Sequence, residues 1–427
     1  MNPQRWLTRA VAVRPDEARA VLWSFAYFFC LLAGYYILRP LRDEMGVAGG
    51  VRNLHWLFTA TFFVMLAAVP VFGAVVARLP RRRFIPLVYH FFVVNIAIFW
   101  ALLTFGTGKE QVARVFFVWI SVFNLFAVSV FWSFMADLFA ADQGKRLFGF
   151  IAAGGSAGAL AGPALTVWLV GIMGPVNMLI AAALLLEAAV LCARRLESSS
   201  LKTENQSSRK TESEILGGGW FAGFALLLRS PYLAGIALWV LLLSLAGTFL
   251  YFQQANIVAS ASDDPAVRTR IFASIDLAAG VLTLVVQIFA TGRLMSRFGA
   301  GPAAAFLPLI FIIGFAALAA SPALMLVIAF QALQRTANFA VSNPAREVFF
   351  TVVGREEKYK AKYLIDGVVF RGADALSGWL FNALRAAGAE LSAIALGAVP
   401  VAVAWLAASL LLGKAHERRA ARPGSAL

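Results

Sequence analysis

The chain reads as an all-α membrane protein of twelve transmembrane helices, set out as two six-helix pseudo-repeats. Three observations predict this. Of its 427 residues, 61% are hydrophobic and only 14% are charged, too little charge to cover a water-soluble protein of that size. Apolar runs of roughly twenty residues recur along nearly the whole length, and that is the run a helix needs to cross a bilayer. The second half also repeats landmarks of the first at a near-constant offset.

Taken in order, the first six spans are expected near 20–38, 54–77, 85–105, 112–137, 147–170 and 176–192. The first closes on GYYILRPLRDEMG, Gly34 to Gly46, where Arg39, Arg42, Asp43 and Glu44 crowd around Pro40. A polar stretch follows span six, Ala193 to Gly219, rich in Ser, Glu and Lys. It cannot bury a core and reads as a flexible linker. Trp220 to Leu228, WFAGFALLL, is apolar but too short to span, so it is expected to lie along the membrane interface. Six more spans are expected near 232–252, 271–291, 302–319, 323–348, 363–385 and 390–412. The domain plan is an N-terminal half over 1–192, a cytoplasmic linker with its interfacial helix over 193–228, and a C-terminal half over 229–427.

The formal net charge of +15 raises the question of nucleic acid. Its distribution answers otherwise, because the basic clusters sit in alternate connecting loops rather than on one face. Counted by loop, the side that holds both termini and the linker carries about 27 Lys and Arg, the other about 8. Both termini are therefore expected in the cytoplasm, in a bacterial inner membrane. The remaining two, Arg335 and Arg371, fall inside expected spans. Cys30 and Cys192 lie in different apolar segments and make no disulfide framework. His55, His90 and His416 are scattered without metal-ligand spacing. No metal, no cofactor and no nucleic-acid partner is expected; the expected partners are a small anionic solute and the lipid bilayer, and the protein is expected to be a monomer. The segment before span one, RWLTRAVAVRPDEARA, lacks the compact plan of a signal peptide, so the first helix is read as an uncleaved span.

The repeat can be read residue by residue. GAVVARLPRRR (Gly73 to Arg83) follows span two and GRLMSRFGAG (Gly292 to Gly301) follows span eight; Gly73 aligns with Gly292, and Arg78 with Arg297, at one shared offset. ALAG (Ala159 to Gly162) in span five likewise matches ALSG (Ala375 to Gly378) in span eleven. Two parallel six-helix repeats are the internal symmetry of a transporter of the major facilitator type. The loop after span two resembles that superfamily's G-x-L-x-D-R-x-G-R-R signature, with Ala77 in place of the Asp and Pro80 in place of the second Gly.

An ionisable group at membrane depth costs roughly 2.5–3.5 kcal/mol on insertion scales, so each needs a reason. The groups are Arg39 and Arg42 at the end of span one, Asp137 late in span four, Glu187 in span six, Asp276 in span eight, Arg335 in span ten, and Asp366, Arg371 and Asp374 in span eleven. Arg371 and Asp374 are three apart on one helix and can neutralise each other. Arg335 has no acid within a helical turn, so it either pairs across helices or is left for a substrate anion. Asp137 precedes FAADQGKR, where a gating pair with Lys145 or Arg146 is expected. Glu187 is expected near the interface with no special role. Gln253 and Gln254, at the end of span seven, either join an interfacial aromatic belt with Tyr251 or hydrogen-bond a polar substrate. GGSAG, Gly154 to Gly158, fits the G-x-S-x-G pattern of a nucleophile elbow, but it lies in a glycine-rich span without His and acid partners. Gly154, Gly158 and Gly162 instead have small-xxx-small spacing for close helix packing.

Three blocks in order carry a resemblance across both halves. YYILRPLRD (Tyr35 to Asp43) is similar to the Y-x-I-L-R-D-x-K-D end of the first helix in the nucleotide (ATP/ADP) translocase family. FWSFMAD (Phe131 to Asp137) with GKRLFGFIAAGGSAGALAG resembles its F-W-x-F-x-x-E…A-K-R-F-Y-x-L-x-G-x-G segment. REVFFTVVGREEKYKAKYLID (Arg346 to Asp366) resembles its K-E-M-A-Y-I-P-L…K-x-K-x-K-x-x-x-D run. The resemblance implies exchange of bulky anions. Position by position, it places the family's first-helix Arg and Lys on Arg39 and Arg42, its fourth-helix Glu on Asp137, its tenth-helix pair on Arg346 and Glu347, and its eleventh-helix Lys and Asp on Lys362 and Asp366. Pro40 replaces an Asp, and Gln253 stands nearest to the acid that the family carries late in helix seven.

The reading is thus a secondary transporter, not an enzyme, moving an organic anion of the nucleotide or phosphorylated-metabolite kind by alternating-access exchange. Arg39, Arg42, Arg335 and Arg371, with Gln253 and Gln254, are the expected substrate contacts. Asp137 with Lys145 or Arg146, and Arg346 with Glu347, are the expected inner gate pairs; Lys362 joins the gating and coupling set. Asp276, Asp366 and Asp374 are the coupling acids if the protein instead moves a smaller solute with protons or exports it. An integral membrane enzyme would need a clustered nucleophile and base, and the scattered histidines speak against it.

Overall fold

The computed structural model describes residues 14, 17–78, 81–106, 108–139, 141–200, 229–354, 361–362 and 364–421. Residues 193–200, expected to open the linker, instead continue the sixth helix. The rest of the linker, the expected interfacial helix over 220–228 and the side chains of the Gly73–Arg83 signature lie outside the described residues. Among the described residues the chain is helical throughout, with no strand. In the first part run α1 (Ala18–Ala48), α2 (Leu54–Arg78), α3 (Arg81–Phe105), α4 (Lys109–Leu138), α5 (Ala141–Met173) and α6 (Met178–Ser200). In the second run α7 (Pro231–Ala261), α8 (Pro265–Val286, carried on by a π turn into Gly292–Phe298) and α9 (Ala300–Ala320). They are followed by α10 (Leu324–Ala337, then a π turn, then Asn343–Phe349), α11 (Phe370–Ala386, entered through a π turn) and α12 (Leu391–Ala420).

Ten of the described helices are long and apolar enough to cross a membrane. The two that fall short by that measure stand where spans six and eleven are expected. α6 carries Glu187, Arg194 and Arg195, and α11 carries Arg371 and Asp374 within a helix of 17 residues. Polar groups, rather than a missing helix, lower their apolar content.

The first helix departs from the sequence reading. The span expected over 20–38 continues as one helix to Ala48, so Arg39, Arg42, Asp43 and Glu44 lie inside it. Pro40 withholds one backbone donor from the helix, yet the helix runs through it. Proline is tolerated in such helices where neighbouring groups take up the freed carbonyl.

Contacts divide the chain into two compact units, the first made of Met1–Gly49, Ala67–Glu212 and Asp264–Leu277. The second is made of Gly50–Leu66, Ser213–Asp263 and Ala278–Leu427. Helices α2 and α8 are thus each shared out along their length. In the first unit α1 is central and packs on α4, α5 and α6, while α3 packs on α6. In the second unit α7 packs on α10, α11 and α12, while α9 packs on α12. The same pairs recur six helices on, which is the pseudo-repeat expressed in packing.

The close approach of α1 and α5 follows from the glycine spacing. A Cβ at Gly154 would lie 2.5 Å from the Phe25 carbonyl oxygen, and one at Gly162 would lie 2.6 Å from that of Ala33. Gly158, between them, faces the Phe29 carbonyl in the same way. The stripe advances four residues at a time on both helices, as small-xxx-small packing requires. In the second unit α9 and α12 approach closely, and a Cβ on Gly301 would meet the Cα of Gly413 at 2.8 Å.

Buried polar groups are joined inside each unit. Tyr27 on α1 donates to the Tyr89 hydroxyl at 2.6 Å, and Tyr89 donates to the Ala127 carbonyl on α4 at 3.1 Å. Trp239 on α7 donates to Ser409 on α12 at 2.8 Å. Cys30 on α1 and Cys192 on α6, distant in sequence, are free thiols. On the other side of α6, Glu187 faces His90 of α3 at 3.7 Å.

Candidate functional site

In the first unit the charged end of α1 meets the first turns of α8. Glu44, only 1% exposed, accepts two hydrogen bonds from the Arg268 guanidinium, at 2.7 and 2.9 Å. This is a two-pronged, charge-assisted pair, the strong form of such contacts. Arg39, one helical turn before Asp43, lies 3.6 Å from the fully buried Asp276 carboxylate. That distance carries Coulombic attraction but falls outside hydrogen-bond geometry. Its guanidinium also lies over the Tyr36 ring, 5.6 Å from the centroid. Arg42 turns to its neighbour Asp43, donating at 2.7 and 3.1 Å, and rests over the Phe117 ring. The four charges around Pro40 are therefore all engaged within the unit.

At the other end of α1, Glu17 receives Arg146 of α5 at 2.9 Å and Gln143 at 2.9 Å. The backbone N–H of Arg14 completes the cage at 3.0 Å. Burial alone would push the Glu17 carboxyl up. The hydrogen bonds from Arg146, the Arg14 backbone and Gln143 outweigh it and hold the group at about 2, below its ordinary 4.5. Arg146, expected with Lys145 as a gating partner of Asp137, bonds Glu17, which lies 129 residues away in sequence. Asp137 is exposed near the end of α4, and the Lys145 side chain lies outside the described residues.

In the second unit Asp374 sits in a cage of hydroxyls. Ser244 donates to its Oδ1 at 2.6 Å and Thr248 donates to the same oxygen at 3.0 Å, both from α7. Arg371 approaches Oδ2 at 3.5 Å from one turn earlier on α11. The i,i+3 pair expected from spacing is present, and it is the weaker hold on Asp374. The Arg371 side chain keeps 37% of its surface accessible. Arg335 is buried in α10 directly before a π turn over Asn338–Ser342. Gln253 and Gln254 are fully buried rather than part of a surface belt. Gln253 donates to the Leu391 carbonyl at 2.8 Å, whereas neither polar atom of the Gln254 amide has a partner among the described residues.

The expected pair Arg346 and Glu347 is replaced by two crossed pairs. Arg346 faces Asp366 at 3.2 Å, and Lys362 bonds Glu347 at 2.6 Å. Adjacent residues on a helix point away from one another, so each turns to α11's approach segment instead. The π turns of α8 and α10 also answer each other, Thr291 donating to the Ala340 carbonyl at 2.8 Å. Such turns release carbonyls from the helix ladder and concentrate at functional sites.

Five participants escaped the sequence reading: Glu17, Glu44 and Arg268 as ion-pair members, Ser244 and Thr248 as hydroxyl donors. Glu44 was visible as a charge at the end of the first apolar run, but nothing local pointed to a partner beyond position 260.

Comparison with known proteins agrees with this architecture. The chain is 20% identical to ADP,ATP carrier protein 1 of Chlamydia trachomatis serovar D, across 94% of this chain and 89% of that protein. Its fold is similar to that of a bacterial homologue of the iron transporter ferroportin in an inward-facing state, with a TM-score of 0.65 at 12% identity. That match covers 95% of this chain and 99% of the other. It is similar as well to the nucleoside transporter NupG, with a TM-score of 0.55 at 15% identity, covering 96% of this chain and all of that one. Residues 21–358 match the model of the Major Facilitator Superfamily. With the paired six-helix packing and that match over most of its length, the chain belongs to the Major Facilitator Superfamily and is a multi-pass membrane transporter, not an enzyme.

Proposed function

We propose that the protein exchanges an organic anion, nucleotide-like or another phosphorylated metabolite, by alternating access across the bacterial cytoplasmic membrane, with both termini in the cytoplasm. The observation that carries this reading is the unequal hold on Asp374. Two hydroxyls satisfy one of its oxygens at 2.6 and 3.0 Å, while Arg371 reaches the other only at 3.5 Å. A carboxylate so hydrogen-bonded does not depend on the guanidinium for its solvation. Arg371 is therefore able to turn to a cargo phosphate, whose oxygens match its fork, and to return afterwards. Arg39, held by Asp276 at 3.6 Å, has the same loose attachment. Arg335 adds a third guanidinium at membrane depth, and the buried Gln254 amide adds a polar contact.

The tight pairs have the complementary role. Glu44 with Arg268 fastens α1 to α8 on the side opposite the linker, as an outer clasp that parts when that side opens. Arg346 with Asp366 and Glu347 with Lys362 fasten α10 to α11 near the inner side. Residues 1–192 and 229–427 are the two halves that rock, joined by 193–228. The cargo class is supported by the likeness to an ADP,ATP carrier and by the three sequence blocks around Arg39, Asp137 and Arg346.

Counterflow in proteoliposomes tests this. Vesicles preloaded with unlabelled nucleotide should take up labelled nucleotide without a proton gradient, and Arg371→Ala and Arg39→Ala should each slow uptake about tenfold or more. Wild-type exchange by both variants, for every nucleotide and phosphorylated metabolite tried, would overturn the reading. The buried setting of Asp374 favours one rival, a proton-coupled carrier of a smaller solute. Uptake driven by a pH gradient into empty vesicles, and lost in Asp374→Asn, would select it.

A further inference from the structure

A cavity of about 380 Å³ opens in the second unit, lined by none of the arginines discussed above. Its charged wall is Arg52 and Arg385, its amide wall Asn256 and Asn382, and its floor the rings of Phe252 and Phe381. Arg52 lies in the short 3-10 turn between α1 and α2, Asn256 near the end of α7, and Asn382 and Arg385 in the last turns of α11. These are the connections after helices one, seven and eleven, so by chain parity they share the membrane face opposite the linker.

The cavity is built rather than incidental. Phe252 and Phe381 meet with ring centroids 5.1 Å apart. Gly378 packs tightly beside them, since a Cβ there would lie 3.2 Å from Phe252 and 3.3 Å from the His55 Cα. Arg385 is anchored at one nitrogen, Nη1 donating to the Ala389 carbonyl at 2.9 Å, which leaves its other N–H groups to the cavity. Asn256 is set by its amide, which donates to the Phe252 carbonyl at 2.8 Å and leaves its own oxygen unspent. Neither Arg52 nor Arg385 faces a carboxylate among the described residues. In the first unit, by contrast, Arg39, Arg42, Arg114 and Arg268 each have one. The Arg52 and Arg385 guanidinium groups, neither facing a carboxylate among the described residues, share one cavity over an aromatic floor.

We propose that this cavity is a second anion site, taking a phosphate group that carries an apolar neighbour. The guanidinium forks hold the phosphate oxygens, the carboxamides hydrogen-bond its polar attachment, and the apolar part rests on Phe252 and Phe381. Two sources fit that chemistry, a soluble phosphate ester arriving from the outer side or the headgroup of an anionic lipid.

The test uses the full chain in phosphatidylcholine nanodiscs, titrated with phenyl phosphate and, separately, with inorganic phosphate. Hydrogen exchange is read over 50–56 and 380–389. Phenyl phosphate should protect both segments at lower concentration than inorganic phosphate does, and Arg52→Gln/Arg385→Gln should raise the half-protection point about tenfold or more. In a second arm, phosphatidylglycerol replaces part of the phosphatidylcholine. Protection without added probe, displaced by phenyl phosphate, assigns the site to the lipid; no such protection assigns it to soluble esters. Absence of protection in both arms would overturn the proposal, as would protection that the double variant leaves unchanged. Both arginines are exposed, and Asn382→Leu, which keeps the charges, provides a second variant that should weaken binding.

Discussion

Ser244 on α7 donates to the carboxylate of Asp374 over 2.6 Å, closer than the arginine that shares the helix with that acid. The acid is thus built into the joint between α7 and α11, with Arg371 its longest contact at 3.5 Å. Asp374→Ala should leave the Thr248 hydroxyl buried without its acceptor, and Ser244 with only the Phe370 carbonyl at 3.1 Å, at a cost of about 1–3 kcal/mol. Arg371→Ala, at a half-exposed position, should change the melting temperature little. Thermal unfolding of both variants in one detergent checks the contrast, and equal losses would contradict it.

Glu44 and Arg268 form a two-pronged ion pair in the first unit, with the acid buried. Removing one partner leaves the other charge in a poor solvent, so Glu44→Ala should destabilise by about 3 kcal/mol. The double variant Glu44→Ala/Arg268→Ala should recover part of that loss. A double-mutant cycle on unfolding free energy measures the coupling, and additive losses would show that the two side chains act independently.

The glycines of α5 separate into those with a neighbour and those without. Gly158→Ala should cost about 2 kcal/mol, because the new methyl meets the Phe29 backbone and the two helices must part. Gly149→Ala, with nothing within 4 Å of the added carbon, should be neutral or up to about 1 kcal/mol stabilising. Melting temperatures of the two single variants decide it.

Glu17 gives a pH dependence with a defined sign. Its carboxyl is held at about 2 in the folded protein, against 4.5 ordinarily. The stabilisation is complete above the ordinary value and is lost as pH falls from there toward 2. Between pH 6 and pH 3 the wild type should therefore lose more stability than Glu17→Gln does. Parallel melting curves for the two proteins would contradict the cage around Glu17.

What the sequence revealed depended on the range over which each signal acts. Span lengths were legible because hydropathy sums over twenty neighbours, and the α5 stripe because Gly154, Gly158 and Gly162 repeat at the helix period. Arg371 and Asp374 were legible as a pair at three residues' spacing. Arg268 and Glu44 stand 224 residues apart, a separation at which a single sequence offers no periodicity. The end of the first helix was misjudged for the same reason. Charges after Pro40 look like the start of a loop until partners from α4 and α8 are in place to neutralise or seat them. Ser244 and Thr248 gave no signal because hydroxyls in an apolar helix ordinarily return to their own carbonyls.

The flush seam along Gly154, Gly158 and Gly162 makes α1 and α5 a single spar. Probe pairs divided between those two helices should report one fixed separation through a whole turnover, and would serve as the ruler against which any other displacement in the protein is gauged.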